Sequence, residues 1–320
     1  MSRAAFVHDD PQFGDLLTIV AGTEGLAEAL VAKDYWVTHT LWAIRDAGLR
    51  VYFKGGTSLS KGFGLIQRFS EDLDVKLEAE DLPLVESWTS EGVTAMTQRE
   101  EFFRALGERI LIPGADVEEL PDLRDRSWRN AVFAVRYPGR AADVLPEGIR
   151  PFVQLEVGSA RVTPGAERPI TSWVHDHLGR ETTGLDSKYI DNRPKDIHCV
   201  SPDVTLLEKV EAVARRFSRA SVAPASFVRH YDDIVRITDD LGSERLGELS
   251  RLLSEMTEER DIRDWPSPDH PAWNPDAEPG RWEEVEQAWV AIGSMFWGDR
   301  VPLAECADEI RRLLHALRDV

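Results

Sequence analysis

Asp72 and Asp74 stand two apart in the run Asp72-Leu73-Asp74-Val75-Lys76-Leu77, whose polar and apolar residues alternate. The strand period of two puts both carboxylates on one face and Leu73, Val75 and Leu77 on the other. Upstream, Val51-Tyr52-Phe53 reads as a short buried strand that breaks at Gly55-Gly56. Thr57 and Ser58 follow as candidate N-caps of a short helix reaching Phe63. Backbone N–H groups at a Gly-rich turn and helix start favour phosphate oxygens. Two aspartates on one strand face can hold a divalent cation against the same phosphates. The combination describes a site for a nucleoside triphosphate with Mg2+. Taken singly, Gly-Gly is a tight turn and Asp-x-Asp a solvated strand face. Their union in one strand–turn–helix–strand unit is what points to chemistry. A Walker-type phosphate loop is excluded, because no Gly-Lys-Ser/Thr follows the required four-residue gap.

Other chemistry-bearing residues are less specific. Glu156 is a lone acid in an apolar run, Ile149–Val157, and is either solvent-facing or a buried ligand. Lys209 lies beside the apolar face (Leu206, Leu207, Val210, Val213, Ala214) of a helix over Val204–Phe217, with Arg215, Arg216 and Arg219 downstream. Alone, it is a solvated lysine on an amphipathic helix. Asp233, in Arg229-His230-Tyr231-Asp232-Asp233-Ile234, is alone a helix-surface acid. His175-Asp176-His177 is expected in a surface loop, since no third ligand lies nearby.

The stretch Lys54-Gly55-Gly56-Thr57-Ser58-Leu59, with Arg68-Phe69-Ser70-Glu71-Asp72-Leu73-Asp74, resembles the first motif of the AbiEii/AbiGii-type (MenT-like) nucleotidyltransferase toxins. That family is similar in fold to the DNA polymerase beta superfamily. Weaker resemblances recur at Lys33-Asp34-Tyr35, at the Lys209 helix with its arginines, and at Arg229–Ile234. The resemblance implies an α/β (α+β) fold: a nucleotidyltransferase domain with a mixed sheet, then an α-helical domain. It implies metal binding by Asp72 and Asp74, with Glu156 as a third carboxylate. Lys54, Gly55, Gly56, Thr57, Ser58, Arg68 and Ser70 would form the nucleotide site. Lys209 would contact the triphosphate, and Asp233 would fix Lys209 or a hydroxyl; the neighbouring Asp232 leaves that register open by one residue.

The function so implied is a toxin of a toxin–antitoxin or phage-defence pair. It would transfer a nucleotide, of a pyrimidine in some relatives, from an NTP to the 3′ acceptor end of tRNA, with Mg2+ as cofactor and an antitoxin as partner. Lys188, Arg193, Lys195, Arg215, Arg216, Arg219 and Arg229 would line a tRNA path. Ser70 matches the position at which some relatives are silenced by phosphorylation; a dianion beside Asp72 would repel the triphosphate. Transfer to a protein or small molecule, and a non-catalytic binding module, are the alternatives.

The elements that must position these residues are legible more coarsely. Phe13–Gly48 reads as two helices, with Trp36 and Trp42 on a core face and Lys33 within reach of a phosphate. Asp81–Ile110 reads as helix broken near Gly92, Arg129–Tyr137 as a strand, and Thr163–Ile197 as loop with short strands. Val200-Ser201-Pro202-Asp203 is a helix start with Ser201 or Asp203 as cap. The boundary is therefore placed at 197/198, with the site expected in the cleft between the two domains. Trp265, Trp273, Trp282, Trp289 and Trp297 read as core and loop anchors, the last three on a closing helix.

The 320 residues suffice for two domains. A net charge of −19 opposes broad, non-specific nucleic-acid binding while leaving room for a local basic groove or a basic protein partner. No run approaches the about 18 apolar residues of a membrane span. The opening MSRAAFVHDDPQF has no apolar secretion core, and Cys199 and Cys306 lack metal spacing, so a cytoplasmic protein with reduced thiols is expected.

Overall fold

A computed structural model describes residues 5–70, 72–139, 150–181, 188–242 and 245–318. The chain divides into two units, Met1–Gly62 with Ser70–Cys199, and Phe63–Phe69 with Val200–Val320. The first unit holds a seven-stranded mixed sheet and the second is helical, the α/β class expected from the sequence.

In the first unit α1 (Phe13–Glu24) and α2 (Glu28–Asp46) precede β1 (Arg50–Lys54), α3 (Gly55–Lys61) and β2 (Asp72–Glu78). Then come α4 (Val93–Arg109), β3 (Asp116–Glu119), β4 (Asn130–Arg136), β5 (Val153–Gly158), β6 (Gly165–Arg168), α5 (Trp173–Glu181) and β7 (Ile197–Val200). The sheet order is β3-β4-β5-β2-β1-β7-β6. β2 is therefore central, antiparallel to β1 and parallel to β5. Its alternation is clean: Leu73, Val75 and Leu77 are buried, and the polar residues between them are half-buried. β4 is buried on both faces, as its unbroken apolar run Ala131–Val135 requires.

Helix α2 is buried on nearly every side, so its polar residues must find partners inside. Lys33 donates to the Arg150 carbonyl at 3.0 Å and is fully buried, as a residue of a packing helix. Asp34 accepts from the Trp173 N–H at the start of α5 and from Lys61 at the end of α3. One carboxylate thus ties α2, α3 and α5 together. Trp36 is buried in the core and Trp42 is half-buried.

Two segments differ from their sequence reading. His175 and His177 lie on α5, not in a surface loop. Both are buried, and His175 completes an internal network: its Nε2 meets Asn192 Oδ1 at 2.8 Å, and Asn192 Nδ2 reaches the Tyr35 hydroxyl and His39 Nδ1. Residues 82–92 are irregular, and α4 begins only after Gly92, where a proline and serine-rich stretch gives way to an apolar helical period. Strand β5 starts at Val153; Ile149 lies outside the described residues.

The His39–His175 network has a pH consequence. Burial lowers both imidazoles to about 4, the charge of His8 adding to the effect at His39. Between about pH 6.5 and 4 the unfolded chain binds protons at these sites and the folded chain does not. Stability is therefore complete above pH 6.5 and is expected to fall as pH drops toward 4, by up to about 1.4 kcal/mol for each pH unit at each site. Urea midpoints from pH 7.5 to 4.5 check this: His39→Gln should flatten the slope.

In the second unit α6 (Pro202–Phe217), α7 (His230–Leu241), α8 (Leu246–Glu258), α9 (Pro279–Ala291) and α10 (Leu303–Arg318) pack around apolar faces. Ser201 caps α6, accepting from the Asp203 N–H, while Asp203 is held by Arg245. Trp273, Trp282 and Trp289 are core residues, Trp265 is half-buried and Trp297 is exposed beyond α9; the closing helix α10 carries none of them. Phe63–Phe69 joins this unit through backbone bonds, Phe69 N–H to Met295 O at 2.7 Å and Trp297 N–H to Gln67 O at 3.1 Å. Cys199 and Cys306 are buried and unpaired with each other. Among the described residues no helix is long and apolar enough to cross a membrane.

Candidate active site

The acid face of the first unit is built by β1, α3, β2 and β5. The antiparallel register sets Lys54 opposite Asp74, and the chain then turns at Gly55 with φ +75°. A Cβ at Gly55 would lie 2.0 Å from Asp74 Oδ2, so glycine is required both by the backbone and by the carboxylate beside it. The sequence reading of Thr57 and Ser58 as N-caps is corrected: the helix starts at Gly55, Lys54 is its N-cap, and both hydroxyl residues sit buried inside α3. Thr57 Oγ1 donates to the Asp72 carbonyl at 2.7 Å, bolting the helix to β2. A lysine side chain has only donors, so it cannot satisfy the N–H groups of the first turn. Gly55→Ala is expected to cost about 1–2 kcal/mol of backbone strain and to displace the Asp74 carboxylate. Melting curves and an activity assay on the same sample check both effects.

Asp72 and Asp74 are half-buried on one face of β2. The parallel register with β5 sets Asp72 beside Gln154 and Asp74 beside Glu156, so Glu156 shares their face. Gln154 Nε2 donates to Asp72 Oδ1 at 2.7 Å, and Asn130 Nδ2 to Glu156 Oε1 at 3.0 Å. Lys54, Asp74, Asp125, Arg129, Asn130 and Glu156 line an open depression of about 390 Å³. Among the described residues no three carboxylate, imidazole or thiol groups converge to hold a metal by themselves. The hard oxygen donors fit Mg2+ in its usual mode, in which one or two carboxylates share the ion with waters and substrate phosphates. Gln154 and Asn130 escaped the sequence reading because their roles appear only once the β2–β5 and β4–β5 registers are known.

The second unit carries a buried ionic cluster. Arg68 grips Asp233 with two bonds of 2.7 Å, Nε to Oδ1 and Nη2 to Oδ2, and gives Nη1 to the Phe69 carbonyl. Lys209 Nζ lies 2.8 Å from Asp233 Oδ2 and 3.1 Å from His230 Nδ1. Arg68 is 1 % exposed and Asp233 0 %. Burial alone would raise the Asp233 carboxyl, but Arg68 and Lys209 hold it well below the usual carboxylate range. Burial pulls Lys209 below an ordinary lysine, against the opposing pull of Asp233 and helped by the charge of Arg68. Burial, then the charge of Lys209, pushes His230 well down, which keeps its ring neutral. Asp232 points elsewhere, accepting from the Val301 N–H at 3.0 Å, so Asp233 is the acid that meets Lys209.

Arg68 departs from its sequence reading as a phosphate contact. Its guanidinium is buried against Asp233 and Phe69, where an incoming phosphate would have to displace a bidentate carboxylate. Ser70 is half-buried just ahead of β2; Glu71 lies outside the described residues. Several of the basic residues expected to line a tRNA path are engaged within their own unit. Lys188 pairs with Asp10, Arg193 with Asp191 and Arg215 with Glu211, and Arg216 donates to the Ser226 carbonyl. Lys195 and Arg219 are exposed, and Arg229 is half-buried.

Residues 41–311 match a family model described as nucleotidyl transferase AbiEii toxin, type IV TA system. Among solved structures the chain is similar to MenT4, a nucleotidyltransferase toxin from Mycobacterium tuberculosis H37Rv. Identity is 16 %, coverage 95 % of this chain and 98 % of that one, and the TM-score 0.46. JHP933 from Helicobacter pylori matches at 15 % identity over 89 % of this chain and 95 % of its own, with a TM-score of 0.27. Comparison with curated proteins gave no match.

Proposed function

The chain belongs to the AbiEii family of nucleotidyl transferase toxins of type IV toxin–antitoxin systems, and from that premise we propose that it transfers a nucleotide from an NTP to the 3′ acceptor end of tRNA in the cytoplasm. The observation that carries this reading is the pair Asp72 and Asp74 on one face of β2, against a helix start at Gly55 that admits no side chain. In the reaction the terminal hydroxyl loses its proton to solvent as its oxygen bonds to the α-phosphorus, the bond to the β-phosphate oxygen breaks, and pyrophosphate leaves with the negative charge. Asp72 and Asp74, with Glu156 beside them, would hold Mg2+, which when bound neutralises charge on the attacking and leaving oxygens. The turn Lys54-Gly55-Gly56-Thr57-Ser58 receives the β- and γ-phosphates at the N–H end of α3. Lys209 contacts the triphosphate and Asp233 fixes its position. A pyrimidine nucleotide is the proposed donor, an antitoxin the regulatory partner, and Ser70 the site at which phosphorylation would repel the triphosphate.

One observation favours a second acceptor class. The chain carries a net charge of −19, and three of the basic residues expected to meet RNA, Lys188, Arg193 and Arg215, are each paired with an acid. Transfer to a protein or small molecule is that second reading. Sequencing of tRNA 3′ ends after induced expression separates them. Extra nucleotides beyond the acceptor end, missing with Asp72→Ala, support tRNA; growth arrest with unaltered tRNA ends overturns it in favour of the other acceptor.

A further inference from the structure

Gln154 and Asn130 stand on the two strands beyond the aspartates, and each donates its amide N–H to one carboxylate of the acid face. Gln154 is 7 % exposed, too deep to be an ordinary surface amide. Its Nε2 holds Asp72 Oδ1 at 2.7 Å, while its Oε1 is buried without a hydrogen-bond partner. A buried amide oxygen left unsatisfied costs free energy, so this side chain is placed for what its N–H does. Asn130 is orientated from the opposite side. Its Oδ1 accepts from the Asp125 N–H at 2.8 Å, which fixes the amide and turns Nδ2 toward Glu156 Oε1 at 3.0 Å. Asp125 and Asn130 both line the depression that Asp74 and Glu156 share.

We propose that Gln154 and Asn130 are positioning residues, each holding one carboxylate of the acid face in a single orientation so that its second oxygen is presented to a divalent cation. The inference rests on the reading of that face as a metal-and-triphosphate site. Its physical basis is the general behaviour of outer-shell partners: a ligand carboxylate with one oxygen fixed by a hydrogen bond has fewer orientations to lose on binding an ion. The two amides act in the same way on different acids. Gln154 works from inside the sheet, and Asn130 links Glu156 to the loop before β4. Mg2+ tolerates little angular error, whereas Ca2+ accepts flexible, irregular oxygen sets. Freed carboxylates should therefore lose Mg2+ and Mn2+ more than Ca2+.

The test is Mn2+ titration of the full chain by water-proton relaxation, without nucleotide, followed by displacement with Mg2+ and with Ca2+. Gln154→Met keeps the volume and removes the N–H; Asn130→Ser is the second variant, at a half-buried position less exposed to a folding failure. Asp74→Asn is the control for the metal reading. The expected result is a roughly tenfold or greater rise in the Mn2+ dissociation constant for each amide variant, with melting temperatures near wild type and a shift of preference toward Ca2+. Binding in wild type that is lost in Asp74→Asn, yet unchanged in both amide variants, overturns the positioning role and leaves the metal reading standing. No Mn2+ binding by wild type, either alone or with a non-hydrolysable NTP present, overturns both. Equal loss of Mn2+ and Ca2+ accompanied by a lower melting temperature in both variants assigns the amides to the frame alone and also overturns the proposal.

Discussion

Asp233→Ala is expected to destabilise the protein by about 3–5 kcal/mol, the cost of breaking a buried ion pair from one side. The carboxylate is fully buried and serves three neighbours at once: two bonds from Arg68, one from Lys209, and His230 Nδ1 at 3.3 Å. Removing it leaves a buried guanidinium and a buried ammonium with no counter-charge. The Lys209 ammonium, already pulled down by burial, would lose the carboxylate that opposes that pull and holds the charge proposed to meet a triphosphate. The cost belongs to the orphaned charges and not to the net value of the ion pairs. A combined Arg68→Met, Lys209→Met and Asp233→Leu protein should therefore regain most of the stability while remaining inactive. Urea unfolding followed by circular dichroism measures both. A loss under about 1 kcal/mol in Asp233→Ala would show that water reaches the cluster and that its burial has been overstated.

Asp72→Ala and Asp74→Asn are expected to do the opposite, lowering activity by a factor of about 1,000 or more with little change in stability. Both side chains are half-buried on the polar face of β2, and the strand is held by Leu73, Val75 and Leu77 on the other face. Asp72 loses only the Gln154 bond, worth about 1 kcal/mol. Steady-state turnover and melting temperature on one preparation separate the two quantities. An Asp74→Asn protein that keeps more than a tenth of wild-type turnover would remove this face from the chemistry.

The strand–turn–helix–strand unit was legible because its signals are local. Alternation in Asp72–Leu77 fixes a face, Gly55-Gly56 marks a break, and the apolar run before it needs a buried strand. Strand Arg129–Tyr137 was legible for the same reason and is observed over Asn130–Arg136. Edge strand β3, Asp116-Val117-Glu118-Glu119, offers one apolar residue and no alternation to detect. Helix α5 hides behind His175, Asp176 and His177; His175 is buried through a bond to Asn192, which in turn reaches Tyr35 on α2. The grip of Arg68 on Asp233 joins residues 165 positions apart, and the amides of Gln154 and Asn130 become meaningful only through strand register. Local pattern gives elements and faces; the partners that tune a charged group come from tertiary packing.

Nucleotidyl transfer carried out on the Asp72–Asp74 face must depend both on Asp72 and on a divalent metal. The most direct measurement mixes purified protein with each α-labelled NTP, Mg2+ and total tRNA, beside Asp72→Ala and beside a sample with the metal chelated. Label joined to the tRNA 3′ end from one or two NTPs, absent in both controls, is the result this account predicts. Label transfer that persists undiminished in Asp72→Ala would contradict it.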